Sequence, residues 1–407
     1  MEKTILPASR LQEQLYQVYR KNPLTTEINL AFAFRTKNLN VGKLEWALNQ
    51  IIARHENLRS NFFEDNGRLW QSISPSRRLK VASFSADDLR TFIRPFALQS
   101  DLLLRAAVKE NLILLDFCHI ITDGFSMAIF FRELDTLYSD LSPDYQAPAA
   151  ADCQISSAAY EANKKFWQTL LQKPFLPHSL PADFPKKQAY GGRGGSQIAW
   201  LGAETTAAIR DCCKNLTVTP YIFYLTAFCR LLARHNRNQD VITGTNLACR
   251  GKANLRSIGL YTTMVPVRLS LSESMNTSDL LLTVNDLIRQ ILRHQHMDLS
   301  EILREKNLHD YRDIFPTLFT FEHEKMAQIR LGGKNCEFVP IPTKDSAFDC
   351  NLCCFPFKKK TGLLLIFRTD LFTPKHAAGY LDEYMDILVE MTETFSIPQK
   401  EKLQNSH

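Results

Sequence analysis

A chain of 407 residues, 45% hydrophobic and 23% charged, has ordinary globular composition and is too long for one small core, so two domains or lobes are expected. Its net charge of +6 is modest and spread out; it is weak evidence for nucleic acid and suits an acidic protein partner or a phosphate-bearing cofactor equally well. No apolar stretch approaches the ~20 residues that cross a bilayer, and the start, Met1-Glu-Lys-Thr-Ile-Leu-Pro7, lacks a signal peptide's apolar core. A cytoplasmic protein with no nucleic-acid and no membrane partner is expected.

In chain order, Leu11, Leu15, Val18 and Tyr19 mark an amphipathic helix, and Ile28 to Arg35 alternates like a strand. Val41 to Arg54 carries Leu44, Ala47, Leu48, Ile51 and Ile52 on one helical face. Phe96 to Val108 is apolar and leads to Leu112-Ile-Leu-Leu-Asp-Phe-Cys118, an unbroken apolar run of strand length. Beyond it Met127, Phe130, Phe131, Leu134, Leu137, Tyr138 and Leu141 recur at three- and four-residue steps, one face of a helix.

From 142 to 157 the composition turns to Pro, Ala, Ser and Asp, a connector, and a helix resumes over 158–171. The stretch 174–196 holds four prolines and Gly191-Gly-Arg-Gly-Gly195, and reads as a flexible crossing between lobes. Those glycines lack the lysine of a P-loop and the frame of a dinucleotide-binding turn. Helices are expected over Tyr221–Arg234, Leu280–Leu292 and Lys375–Phe395, and strands over Asp240–Thr245, Pro316–Phe321 and Gly362–Phe367. Cys350-x-x-Cys353-Cys354 is the only clustering among ten cysteines; with no second pair at ligand spacing, it reads as a strand and no metal site is expected. The organisation is then an N-terminal lobe over 1–157, a connector helix and inter-lobe loop over 158–196, and a C-terminal lobe over 197–407, both lobes mixed α/β.

The chemistry-bearing feature is His119-x-x-x-Asp123-Gly124, placed between the apolar strand and the helix after it. A general base at so rigid a junction makes physical sense. Spacing alone makes Asp123 a partner for His119 in a dyad. His55 is read as a brace of its helix, and His294 and His296 as a helix flank without a third metal ligand. Glu322-His323, following a strand, is open to two placements, near the site or at the surface, and the surface is preferred.

Several segments share one further property. Arg54-His-Glu-Asn-Leu-Arg-Ser-Asn-Phe62, Arg94-Pro-Phe-Ala-Leu98 with Leu103-Leu-Arg105, His119 to Met127, and Ile258-Gly-Leu-Tyr-Thr-Thr-Met-Val-Pro-Val-Arg268 come in a characteristic order. So do His294-Gln295 with Glu301, Ala347-Phe-Asp-Cys-Asn-Leu352 and Arg368-Thr-Asp-Leu-Phe372. Together, from Pro7 to about Leu388, the chain resembles the condensation domains of non-ribosomal peptide synthetases, within the chloramphenicol-acetyltransferase-like acyltransferases. It departs from their pattern at Cys118, where a first histidine is usual, and at Thr263, where asparagine is common. Strand alternation turns residues 118 and 119 to opposite faces, so Cys118 is not expected to share the chemistry of His119.

The resemblance implies a V-shaped pseudo-dimer of two chloramphenicol-acetyltransferase-like lobes, with His119 midway along a central substrate tunnel. It implies that His119 serves as base, that the Gly124 backbone contributes to an oxyanion site, and that Asp123 pairs with an arginine, for which Arg268 is the candidate. Thr263 and Phe125 are candidate tunnel residues. The donor is implied to be an acyl or aminoacyl thioester on phosphopantetheine, brought by an acyl or peptidyl carrier protein supplied in trans, with no bound cofactor, and a monomer is expected. The acceptor is an amine or a hydroxyl, free or carrier-bound. A coenzyme A-dependent acyltransferase and a non-catalytic docking domain are the alternatives; epimerisation is left open, and heterocyclisation is disfavoured because His119 is present.

Overall fold

The computed structural model describes residues 2–143, 156–172, 179–187, 190–236, 239–251, 254–271, 275–295, 299–322, 329–341 and 344–395. The first part of the chain runs β1 (Thr4–Pro7), α1 (Arg10–Lys21), β2 (Asn29–Arg35), α2 (Val41–Arg54), β3 (Ser60–Asp65) and β4 (Arg68–Ile73). It continues with β5 (Ala82–Ser83), β6 (Leu104–Lys109), β7 (Leu112–Cys118) and α3 (Gly124–Tyr138). The middle holds α4 (Ser157–Leu170), β8 (Gly192–Leu201), α5 (Ala203–Leu216), α6 (Pro220–Arg234), β9 (Asp240–Ala248) and β10 (Thr262–Ser270). Then come α7 (Thr277–Arg293), α8 (Leu299–Glu305), β11 (Thr317–Phe321), β12 (Arg330–Leu331), β13 (Lys334–Asn335) and β14 (Glu337–Phe338). The last elements are β15 (Asp345–Ser346), β16 (Cys350–Pro356), β17 (Thr361–Arg368) and α9 (Pro374–Glu393).

Two compact units form, and neither is one continuous stretch. The first comprises 1–153, 248–263 and 322–344; the second comprises 154–247, 264–321 and 345–407. A division at 157 and 197 therefore needs correcting in two respects. Residues 158–196 belong to the second unit, and two later segments return to the first. Hydrogen bonding explains the return: β14 pairs antiparallel with β2, and the segment 248–263 is bonded to the start of α3, as described below.

In the first unit a five-stranded sheet has the order β14-β2-β7-β6-β5, and a three-stranded sheet the order β1-β4-β3. β7 is the central strand, and all seven of its residues are buried, which is why it reads as an unbroken apolar run rather than an alternating one. Helices α2 and α3 cover one face through Leu44, Leu48, Ile51, Phe130 and Leu134, with Phe117 meeting Phe130 edge-on at 5.0 Å. Asp116 is the one acid inside β7. It is held by Asn29 Nδ2 at 2.9 Å and Arg105 Nη1 at 3.0 Å, tying the strands on both sides to it. Burial outweighs those partners and pushes its carboxyl up to about 7.

The second unit carries a seven-stranded sheet in the order β10-β9-β11-β16-β17-β8-β15. β11 runs parallel to both β9 and β16, and the strands from β16 to β15 pair antiparallel. Helix α6 is apolar nearly all round because it is enclosed by α5, α7 and α9. The Tyr384 hydroxyl donates to the Tyr224 carbonyl at 2.9 Å, fixing α9 on α6. Cys350, Cys353 and Cys354 lie buried in β16. Among the described residues no three His, Cys, Asp or Glu side chains converge as a metal would require, and no single helix is long and apolar enough to cross a membrane.

The glycine run expected to be a flexible crossing is the first half of β8. A Cβ on Gly194 would lie 2.7 Å from the Asp345 backbone, and one on Gly195 would lie 2.7 Å from the Phe367 ring. Glycine is used there for close strand approach, which composition cannot distinguish from a loop. Gly244 in β9 is similar: a Cβ would lie 2.3 Å from the Phe315 ring. Gly244→Ala is therefore expected to lower stability by ~1–3 kcal/mol in chemical denaturation. Gly202→Ala, where a Cβ meets nothing within 4 Å, should leave the midpoint nearly unchanged.

Candidate active site

β7 ends where Cys118 and His119 leave the sheet. The Cys118 N–H donates to the Leu103 carbonyl at 2.9 Å and the His119 N–H to the Ile28 carbonyl at 2.7 Å, so the backbone on both sides of the imidazole is pinned by β7's neighbouring chains. A single tight turn over His119–Ile121 follows, closed by Thr122 N–H on the His119 carbonyl at 3.2 Å. Cys118 is fully buried in the core, and burial raises its thiol to about 12. His119 is only half-buried, and its Nδ1 is buried without a hydrogen-bond partner among the described residues.

Asp123 is the N-cap of α3, with Oδ1 accepting from the Ser126 N–H at 2.8 Å. The same oxygen accepts from Arg250 Nη2 at 2.7 Å, while Oδ2 accepts from the Tyr261 N–H at 2.9 Å and the Thr262 hydroxyl at 3.2 Å. Both oxygens are thus occupied by donors other than His119, in a residue with no exposed surface. The geometry excludes Asp123 as the dyad partner that spacing suggested.

Arg250 completes the pair. Its Nη1 donates to the Asn254 and Ser257 carbonyls, each at 2.8 Å, and Nη2 also reaches Ser126 Oγ at 2.7 Å. The guanidinium lies over the rings of Phe125 at 4.6 Å and Tyr261 at 4.4 Å. Ser126 Oγ donates to the Gly259 carbonyl at 2.8 Å and accepts from the Gly259 N–H at 3.0 Å. The whole of 254–262 is thereby bonded to the first turn of α3.

Arg268, the arginine expected to pair with Asp123, does not. It binds Asp240 through Nη2 at 2.7 Å and Nε at 3.1 Å, inside the second unit. The reason is distance along β10: Thr262 meets Asp123, and Arg268 lies six residues further on, ~20 Å of extended chain. Arg250 was missed because it stands outside the Ile258–Arg268 segment; its only local signal is a cation directly after β9. Thr263 is half-buried beside the contacting Thr262, and Phe125 serves as a face for Arg250.

Other expected positions resolve simply. His55 ends α2 and bonds Glu133 through Nε2 at 3.0 Å, a brace between α2 and α3. His294 caps α7, bonded to Asn163 and stacked on Phe166; Glu301 binds Lys164 at 2.7 Å. His296 and His323 lie outside the described residues. Glu322 is not a surface residue. It is partly buried, with Oε2 3.2 Å from the position of a Cβ on Gly124, and burial followed by the nearby Asp123 charge raises its carboxyl to about 7.

A turn of this kind presents one imidazole at a strand end, beside the N-terminus of a 15-residue helix whose positive end favours developing negative charge. Proton transfer at His119 with charge stabilisation at Gly124 is the chemistry it suits.

Comparison with known proteins agrees with the resemblance. The family model described as "Condensation domain" matches residues 2–405. Surfactin synthase subunit 2 of Bacillus subtilis (strain 168) is 26% identical over 401 residues, covering 93% of this chain and 11% of that protein. Bacitracin synthase 2 of Bacillus licheniformis is 26% identical over 423 residues, covering 98% of this chain and 16% of that protein. The chain thus spans a small fraction of these relatives. Among solved structures, the condensation domain from Monacolin K polyketide synthase MokA superposes with a TM-score of 0.82 at 18% identity, covering 97% of this chain and 98% of that one.

The site yields one prediction of its own. Arg250→Ala should cost ~3–5 kcal/mol in chemical denaturation, because it strands a buried carboxylate. Arg268→Ala removes a partly exposed pair and should cost ~1 kcal/mol or less by the same measurement.

Proposed function

Because the chain belongs to the condensation-domain family of acyltransferases, matched over residues 2–405, we propose that it joins a thioester-borne acyl or aminoacyl group to an amine or hydroxyl acceptor in non-ribosomal peptide or related natural-product biosynthesis. The donor is carried on the phosphopantetheine arm of an acyl or peptidyl carrier protein. Substrates reach His119 through a channel, donor from one mouth and acceptor from the other. The observation that carries this reading is a half-buried imidazole at a pinned strand end whose neighbouring carboxylate is already committed to Arg250.

His119 takes the proton of the acceptor as its nitrogen or oxygen attacks the thioester carbonyl. The tetrahedral oxyanion is held by the Gly124 backbone N–H at the start of α3. As the carbon–sulfur bond breaks, the same proton passes from His119 to the departing thiolate. Asp123 contributes by holding the turn, with Arg250 as its partner, and touches neither substrate. Cys118, buried and held as a thiol, forms no acyl intermediate.

His119→Ala should reduce transfer by ~10²–10⁴-fold with an unchanged unfolding midpoint. Purified protein given matched acyl-carrier and acyl-coenzyme A donors, with products read by mass spectrometry, should show transfer from the carrier. Turnover of coenzyme A donors alone would replace the carrier with coenzyme A as the donor class. Binding of carrier without transfer from either donor would make the chain a docking domain.

A further inference from the structure

The mechanism above leaves one buried titratable group at the turn without a task. Glu322 belongs to the first unit, as do His119, Asp123, Gly124 and Arg250. Its Oε2 and Oε1 lie 3.2 and 3.7 Å from where a Cβ on residue 124 would sit. The carboxyl therefore occupies the space that a side chain at the first position of α3 would fill, and glycine at 124 is what admits it.

The other charged and titratable groups of this turn are His119, Asp123, Arg250 and Tyr261. Asp123 receives four donors, and Arg250 is spent on Asp123, Ser126 and two carbonyls. The Tyr261 phenol is raised, chiefly by burial. Among the described residues only burial and the charge of Asp123 act on Glu322, and no hydrogen-bond donor satisfies it. A partly enclosed carboxyl without a donor, beside a site that opens to substrate, has the chemistry of a counter-ion for a substrate cation.

We propose that Glu322 is a second proton acceptor of this site, binding the ammonium form of an amine acceptor and removing its first proton. The proposal rests on the acyl-transfer reading above and deepens it. An amine acceptor starts as an ammonium ion and ends as an amide N–H, so its nitrogen loses two protons. The Glu322 carboxylate takes the first, leaving a free amine with its lone pair. His119 takes the second as the carbon–nitrogen bond forms and the carbon–sulfur bond breaks, and passes it to the thiolate. The proton on Glu322 then goes to water. A hydroxyl acceptor has one proton to lose, which His119 handles alone. Glu322 thus separates amine from hydroxyl acceptors. Its carboxyl, near 7, is both ionised enough to hold a cation and basic enough to take a proton at neutral pH.

The test has two arms, each on the full chain. In the first, protein labelled with carboxyl-¹³C glutamate is titrated by NMR, the Glu322 signal being assigned by its loss in Glu322→Gln. Alaninamide, an ammonium probe, should move the Glu322 titration to lower pH, and the isosteric lactamide should not. Equal shifts with both probes, or none with either, would overturn the proposal. In the second arm, Glu322→Gln with an unchanged melting temperature should slow transfer to aminoacyl thioester acceptors at least about tenfold at pH 7. The deficit should shrink by pH 9, where the amine is already free, and transfer to hydroxyacyl acceptors should be unaffected. A deficit equal for both acceptor types and independent of pH also contradicts it. If the unsubstituted protein transfers to neither acceptor, the acyl-transfer reading fails, and the NMR arm still decides whether Glu322 binds the cation.

Discussion

One buried carboxylate organises the first unit's functional end. Asp123 has no exposed surface and receives hydrogen bonds from the Ser126 and Tyr261 backbone, the Thr262 hydroxyl and the Arg250 guanidinium. An ion pair so deeply placed is tolerable only when every oxygen is satisfied and the cation is itself well held. Arg250 meets that condition by donating to two carbonyls and lying between two aromatic rings. The outcome is mechanical: 254–262, distant in sequence, is fastened to the first turn of α3, and the residues joining β7 to that turn have little freedom left.

The same commitment decides the chemistry. A carboxylate with four donors has nothing to offer an imidazole, so His119 is positioned by its backbone, through Ile28 and Thr122, rather than by an acid behind it. Cys118 faces the core and is held as a thiol by burial. Two groups at the turn remain uncommitted among the described residues: the His119 imidazole, with a buried unpartnered Nδ1, and the Glu322 carboxyl lying over Gly124. Both are proton-transfer groups that titrate around neutrality in ordinary or buried surroundings.

The strand–turn–helix around His119 was legible because both sides bear unambiguous patterns: seven buried residues in β7 and a three-four apolar stripe in α3. That Asp123 caps its helix follows from its type and place. Which arginine meets it was not legible, since several follow in the sequence and only the path of the chain selects among them. Arg250 stands beside the turn because β9 delivers it there, whereas Arg268 is carried away along β10 to Asp240. Gly192–Gly195 hid a strand, since glycines that admit close neighbours look like glycines that permit bending. Glu322 hid for a related reason: the space it fills is defined by a missing side chain 198 positions earlier, at Gly124. The return of 322–344 to the first unit, through β14 on β2, left no mark in local composition.

The most direct test of this account is a double-mutant cycle in chemical denaturation with Asp123→Asn and Arg250→Gln. The two are expected to couple by ~2 kcal/mol or more, the double variant being little worse than the poorer single one. The parallel cycle of Asp123→Asn with Arg268→Gln should be additive within ~0.5 kcal/mol. Additivity in the first cycle, or coupling in the second, would contradict the assignment of Asp123 and Arg250 as the pair that holds the site.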